Sequence, residues 1–211
     1  MNINLVYAQS SPSSAPYNKV SQPALMLELP YSQNTSEDFI IDNLKRTGYN
    51  VESKGKFFWK QNKLNGFYTF KGVNLEGLSQ SVDLYFKVDQ KSRRDKNESV
   101  IYMLVSKGNE NFISPDSDPE IYNAAKKMLD GFITQSASYK LDLDIKAQED
   151  AVRNAEKKLG KLQDSEKDLN KRLNQLQDDL KKNRMDQENQ QRALENERRR
   201  LADLKAKGIN Q

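Results

Sequence analysis

The chain of 211 residues contains neither cysteine nor histidine. That removes thiol nucleophiles, disulfides, the usual ligands of zinc, copper, haem and iron–sulfur centres, and the side chain that titrates nearest neutral pH. No proline follows Pro119 and no aromatic residue follows Tyr139. A globular core needs large rings, so the globular part is expected within roughly residues 22–135, and the remainder to be built differently. No apolar run approaches the roughly 18 residues of a membrane-spanning helix; the longest, Ala24–Leu29, already includes Glu28. No transmembrane span is expected.

One-signed charge is also lacking. Residues 1–118 hold 14 Lys/Arg against 13 Asp/Glu, and residues 119–211 hold 20 against 17. The small basic excess sits at the far end, where Arg198, Arg199 and Arg200 are interleaved with Glu195, Glu197 and Asp203. Such a mixed surface reads as a solvated helix face, and no nucleic-acid partner is expected.

What is present is a seam. From Val152 to Leu204 core positions recur with 3,4 spacing. Position a is Val152, Leu159, Glu166, Leu173, Leu180, Gln187, Leu194 and Leu201; position d is Ala155, Leu162, Leu169, Leu176, Asn183, Gln190, Glu197 and Leu204. Eleven of these sixteen are apolar in an otherwise polar stretch, which is the signature of a coiled coil. A lone helix with its apolar seam in water is marginal, so the pattern calls for a second helix, and the expected partner is another copy of the chain as a parallel dimer or trimer. A helical hairpin within one chain is the alternative, although no glycine or proline lies between Lys161 and Lys207 to turn it. Asn183, Gln187 and Gln190 form three successive polar layers, read as a register device or a weak waist.

Ahead of the coil the pattern is α+β: a small antiparallel sheet with one or two packed helices. Ala24–Leu29, stopped by Pro30, reads as a first strand. A helix capped by Thr35 or Ser36 buries Phe39, Ile40, Ile41 and Leu44 and ends at Gly48. Four β-like segments follow, at 50–60, 66–75, 81–89 and 99–106. In the third, Val82, Leu84, Phe86 and Val88 alternate with Asp83, Tyr85, Lys87 and Asp89, predicting one core face and one polar face. Segments 81–89 and 99–106 are predicted to form a hairpin. Asp118-Pro119-Glu120 opens a second helix whose weak formers at Ile133–Ser138 allow a bend before a coiled-coil helix over 136–208.

The start is read as a disordered leader over residues 1–21. Asn4–Ala8 followed by Gln9 resembles the end of a secretory signal, which predicts export to the periplasm or cell envelope; a start that is complete as written predicts a cytoplasmic chain instead. Ser10–Pro16 is read as unstructured under both.

Candidate chemistry is sparse. Asp116, Asp118 and Glu120 alternate like calcium ligands, but Pro119 lies between two of them and helix capping accounts for all three, so no metal or cofactor is expected. No carboxylate stands beside a nucleophile motif or glycine-rich phosphate loop, so no enzymatic activity is expected. Phe57, Phe58 and Trp59 with Phe67, Tyr68 and Phe70 are read first as core and second as the wall of a pocket for an apolar small molecule or peptide.

Gly48-Tyr49, Leu104–Gly108, Asn111–Ser114, Asp118–Glu120 and the coil that follows resemble uncharacterised envelope proteins of Gram-negative bacteria. The resemblance implies export to the envelope, with other envelope proteins as further candidate partners, and brings no activity. The expected function is that of a self-associating, non-enzymatic envelope scaffold or adaptor; the alternative is a binding module.

Overall fold

The computed structural model describes residues 9–53 and 62–209, with side chains up to 205. The elements run β1 (Ser11–Tyr17), β2 (Val20–Leu29), α1 (Gln33–Arg46), β3 (Tyr68–Asn74), β4 (Ser81–Gln90), β5 (Ser99–Ser106) and α2 (Pro119–Ile209). The five strands form one antiparallel sheet in the order β1-β2-β5-β4-β3. The α+β class is therefore as expected, with a long C-terminal helix. Two units divide the chain, Met1–Ile145 and Lys146–Gln211, so the first extends ten residues past the expected boundary at 135.

The expectation of a disordered leader fails at Ser11–Tyr17, which pairs with Val20–Met26 as an edge strand. Asn18 and Lys19 both take positive φ, 49° and 66°, which is the turn whose twist suits a two-residue hairpin. Pro12 and Pro16 are tolerated because β1 is at the sheet edge, where a missing N–H leaves no ladder bond unmade. Ser10 ties this edge down, donating from its backbone N–H (2.7 Å) and its hydroxyl (2.6 Å) to one carboxylate oxygen of Asp130 on α2.

Both helices cover the same face. Leu25, Leu27, Phe70, Leu84, Phe86, Ile101 and Met103 from the strands pack with Phe39, Ile40 and Leu44 of α1 and with Ile121, Ala125, Leu129 and Phe132 of α2. Phe132 meets Phe39 edge-on at 5.2 Å and stacks on Phe86 at 5.9 Å. The expected β4–β5 hairpin forms, with Leu84 opposite Val105, Phe86 opposite Met103 and Val88 opposite Ile101.

The other face is not wholly polar. Ala15, Tyr17, Ala24, Phe67, Tyr85 and Leu104 form a second buried cluster, with Phe112 and Tyr102 partly buried beside it. Tyr17 supplies its centre, with ring contacts to Phe67 (5.6 Å), Tyr85 (5.5 Å) and Phe112 (5.1 Å). Tyr85 was expected in water, but β1 brings Tyr17 over it. The expected segment 50–60 falls largely outside the described residues, as do Phe57, Phe58 and Trp59; residues 51–53 are not strand.

The cap of α1 is Ser32, three residues before Thr35 and four before Ser36: at ψ 156° its side chain accepts from the Thr35 N–H. Ser36 is fully buried instead, its hydroxyl 2.7 Å from that of Ser99. The C-terminal end is as expected. Gly48 at φ 96° donates to the Lys45 carbonyl (3.0 Å) and Tyr49 to the Leu44 carbonyl (2.9 Å), the paired bonds of a glycine-terminated helix.

Helix α2 starts at Pro119, as expected, and shows no break at Ile133–Ser138. There Ser136 and Ser138 return their hydroxyls to the carbonyls of Ile133 (3.0 Å) and Thr134 (3.3 Å), so these weak helix formers bond to the helix itself and do not compete with it.

Candidate functional site

The seam occupies the second unit, Lys146–Gln211, which is helical from its start to Ile209. Strong helix formers and i, i+3 or i, i+4 ion pairs such as Arg153–Asp150 (2.6 Å) and Arg199–Glu195 (2.7 Å) support it locally. Each such exposed pair adds only a few tenths of a kcal/mol, so helix-internal bonds do not explain a chain that repeats leucine this regularly.

Every named seam position is exposed. Val152 is 47 % exposed, Leu159 56 %, Leu173 51 %, Leu176 65 % and Leu204 67 %; Leu162, Leu169, Leu180, Leu194 and Leu201 lie in the same range. Ala155, Asn183, Gln187 and Gln190 are exposed as well. The Gln187 amide donates to the Asn183 carbonyl oxygen at 2.6 Å, one helical turn away, so two of the three waist residues hold each other within the chain. Gly160, at an outward position, has open space where a Cβ would be. The hairpin alternative is not realised, because no turn interrupts the helix between Lys146 and Ile209.

Sequence reading passed over Leu141 and Ile145. They stand at d and a of the same count one heptad or more earlier, and are 60 % and 48 % exposed. Counting backwards from Val152 finds them.

The first unit carries two clefts that bear on ligand binding. One, of about 470 Å³, has a floor of Leu44, Val73, Leu75 and Phe132 and a rim where Asn43 donates to Gln135 (2.8 Å) and Lys127 meets Glu76 (2.9 Å). The other, of about 730 Å³, is polar and lined by Glu52, Lys63, Lys71, Asp83 and Glu110 among others. Its charges are largely spoken for: Lys71 meets Glu52 at 2.8 Å, and Glu110 accepts from the Tyr17 hydroxyl at 2.7 Å. Phe67 and Phe70 are fully buried and Tyr68 nearly so, as the core reading expects.

Ionisable groups in the first unit are arranged for structure. Glu37 accepts from Lys63 (2.8 Å), Gln33 (2.9 Å) and Tyr68 (2.7 Å). Burial pushes its carboxyl up, but these three donors outweigh burial and hold it below the ordinary glutamate value. Burial and the facing carboxylate push the Tyr68 phenol up, so that group stays a donor. Asp118 accepts the Ile121 backbone N–H and the Lys107 ammonium (2.8 Å), the arrangement that helix capping requires. Among the described residues no group of three or more acidic side chains is placed to hold a metal ion. The Ser36 and Ser99 hydroxyls, both fully buried, are bonded to each other at 2.7 Å.

The described helices include none long and apolar enough to cross a membrane. Comparison with protein-family models, with curated proteins and with solved structures finds no match for this chain.

Proposed function

We propose that this chain is a non-enzymatic, self-associating scaffold or adaptor of the cell envelope, in which α2 from Val152 to Leu204 joins copies of the chain. The observation that carries the proposal is the exposed seam: nine leucines from Leu159 to Leu204, each about half or more accessible, on an unbroken helix. Covering them is worth roughly 1 kcal/mol each at this exposure. Two chains thus gain on the order of 15–20 kcal/mol from the seam, the term that drives pairing against an association cost of about 4–15 kcal/mol. Envelope location rests on the signal-like Asn4–Ala8 and on the resemblance carried by Leu104–Gly108 and Asp118–Glu120.

A second reading is favoured by the cleft of about 470 Å³, whose apolar floor and polar rim suit a small apolar molecule with one polar end. Native mass spectrometry of protein purified from its source separates the two. Multiples of the chain mass without adducts support the scaffold. A monomer carrying a small-molecule adduct supports the binding module and sinks the scaffold.

A further inference from the structure

We infer that the seam pairs with a second copy of this chain in parallel and in register, an assignment that rests on the self-association proposed above, gives the layer-by-layer reason for the parallel direction and adds the alignment. The order of layers carries it. Along the unbroken helix from Val152 to Leu204, five polar layers interrupt eleven apolar ones, and their spacing is not symmetric about the middle: one, Glu166, lies in the first half, while Asn183, Gln187, Gln190 and Glu197 lie in the second.

In a parallel, in-register pair each layer faces its own copy, so all eleven apolar layers meet apolar ones and every polar layer meets a polar one. In an antiparallel pair position a faces position d. The register with the greatest overlap sets Val152 opposite Leu204, and it then places Leu159 against Glu197, Leu173 against Asn183 and Gln187 against Leu169. Only eight purely apolar layers survive. Six layers, three sorts each occurring twice, set a leucine against a carboxylate or amide that has no partner for its polar atoms. Moving the antiparallel register by one heptad in either direction leaves six purely apolar layers, and so does slipping a parallel pair by one heptad. Parallel and in register is the one alignment with no mixed layer.

Two features oppose it and are smaller. Glu166 and Glu197 each face a like charge, and at the outer edge Arg200 faces Lys205 of the other copy. Both glutamates are exposed in the lone helix, Glu197 beside Arg200 of its own chain at 2.9 Å, and have long side chains that reach water from a seam position. Asp179 facing Arg184 is attractive. The antiparallel pair has edge attractions of its own, Arg172 with Asp186 and Glu156 with Arg198, set against Lys158 facing Arg200 and Asp179 facing itself. Edge charges leave the choice open, and the buried layers decide it.

The chain's lack of cysteine makes the test direct. Ala155→Cys alone is oxidised mildly at tens of micromolar, with sedimentation of the same sample as the readout of association, beside an equimolar mixture of Ala155→Cys and Leu201→Cys. Parallel, in-register pairing gives disulfide-linked chains from Ala155→Cys alone, in most of the protein. Linkage confined to the mixture, or none in a sample that sediments as an oligomer, overturns the alignment while leaving self-association intact; a sample that sediments as a monomer overturns both. As a second readout, Glu166→Leu lowers the concentration at half-association by about tenfold or more when the layer faces itself. A change below about threefold, as expected if the new leucine faced Gln190, contradicts the assignment.

Discussion

Tyr17→Ala decides whether residues 11–17 belong to the folded domain. The ring is 3 % exposed, touches Phe67, Tyr85 and Phe112 at centroid distances of 5.1–5.6 Å, and its hydroxyl donates to Glu110 at 2.7 Å. Truncating a buried aromatic to alanine costs about 3–5 kcal/mol. The site lies on the thinner of the two sheet faces, near the edge strand, where neighbours can relax into the space, so the lower end applies: about 3 kcal/mol. Part of this reflects edge-to-face geometry beyond simple burial, for which a single ring pair is worth about 0.5–1.5 kcal/mol. Losing the hydroxyl leaves Glu110 free to take water, which adds little. Urea unfolding followed by near-ultraviolet circular dichroism measures the change in stability, with Val20→Ala as control, since Val20 is 57 % exposed and should alter stability by less than about 0.5 kcal/mol. A Tyr17→Ala effect no larger than the control's would refute the strand and restore the disordered leader.

Three further outcomes follow from the same geometry. Glu37, held below the ordinary glutamate value in the folded chain, contributes stability that is present above the ordinary glutamate range and is lost as pH falls through its depressed folded value. Glu37→Gln should flatten that acid limb in a stability-versus-pH series, and an unchanged limb would remove Glu37 as its cause. Leu173→Asp with Leu176→Asp places unpartnered charges in adjacent seam layers at several kcal/mol per chain, so the oligomer should dissociate with loss of helix signal while near-ultraviolet signals of the first unit persist; joint loss would mean the units depend on each other. Replacing Asn183, Gln187 and Gln190 with leucine should raise the melting temperature of the assembled helix and slow amide exchange at residues 181–191, and wild-type exchange there already as slow as at Leu169–Leu176 would show that the waist is not weak.

Much of this architecture was written in local pattern. Period-two alternation in Val82–Asp89 located β4 because one of its faces packs under the helices; β5 is buried on both faces, so sequence alternation does not fix its phase, and Ile101, Met103 and Val105 are the residues that join the main core. Gly48 and Asp118-Pro119 marked helix ends through the backbone itself: φ at Gly48 is positive, and Asp118 bonds the first turn of α2. The β1 strand was hidden because serine and proline dominate Ser10–Pro16, and strand formation there depends on Tyr17 reaching Phe67, Tyr85 and Phe112, residues distant in sequence. The same long-range contact buries Tyr85, which alternation alone assigns to water. The cap of α1 was displaced because Ser32, Thr35 and Ser36 are all competent caps, and burial of Ser36 against Ser99 selects among them. The long C-terminal helix was the most legible element, since its periodicity and the lack of proline after Pro119 are read within a single helix.

Sedimentation equilibrium of the intact chain from about one to one hundred micromolar tests self-association through the seam most directly. The account predicts a mass that rises to a dimer or trimer by tens of micromolar and falls back to the monomer when Leu173 and Leu176 are both replaced by aspartate. A wild-type chain that remains monomeric across the range, or an oligomer unchanged by that double replacement, would contradict it.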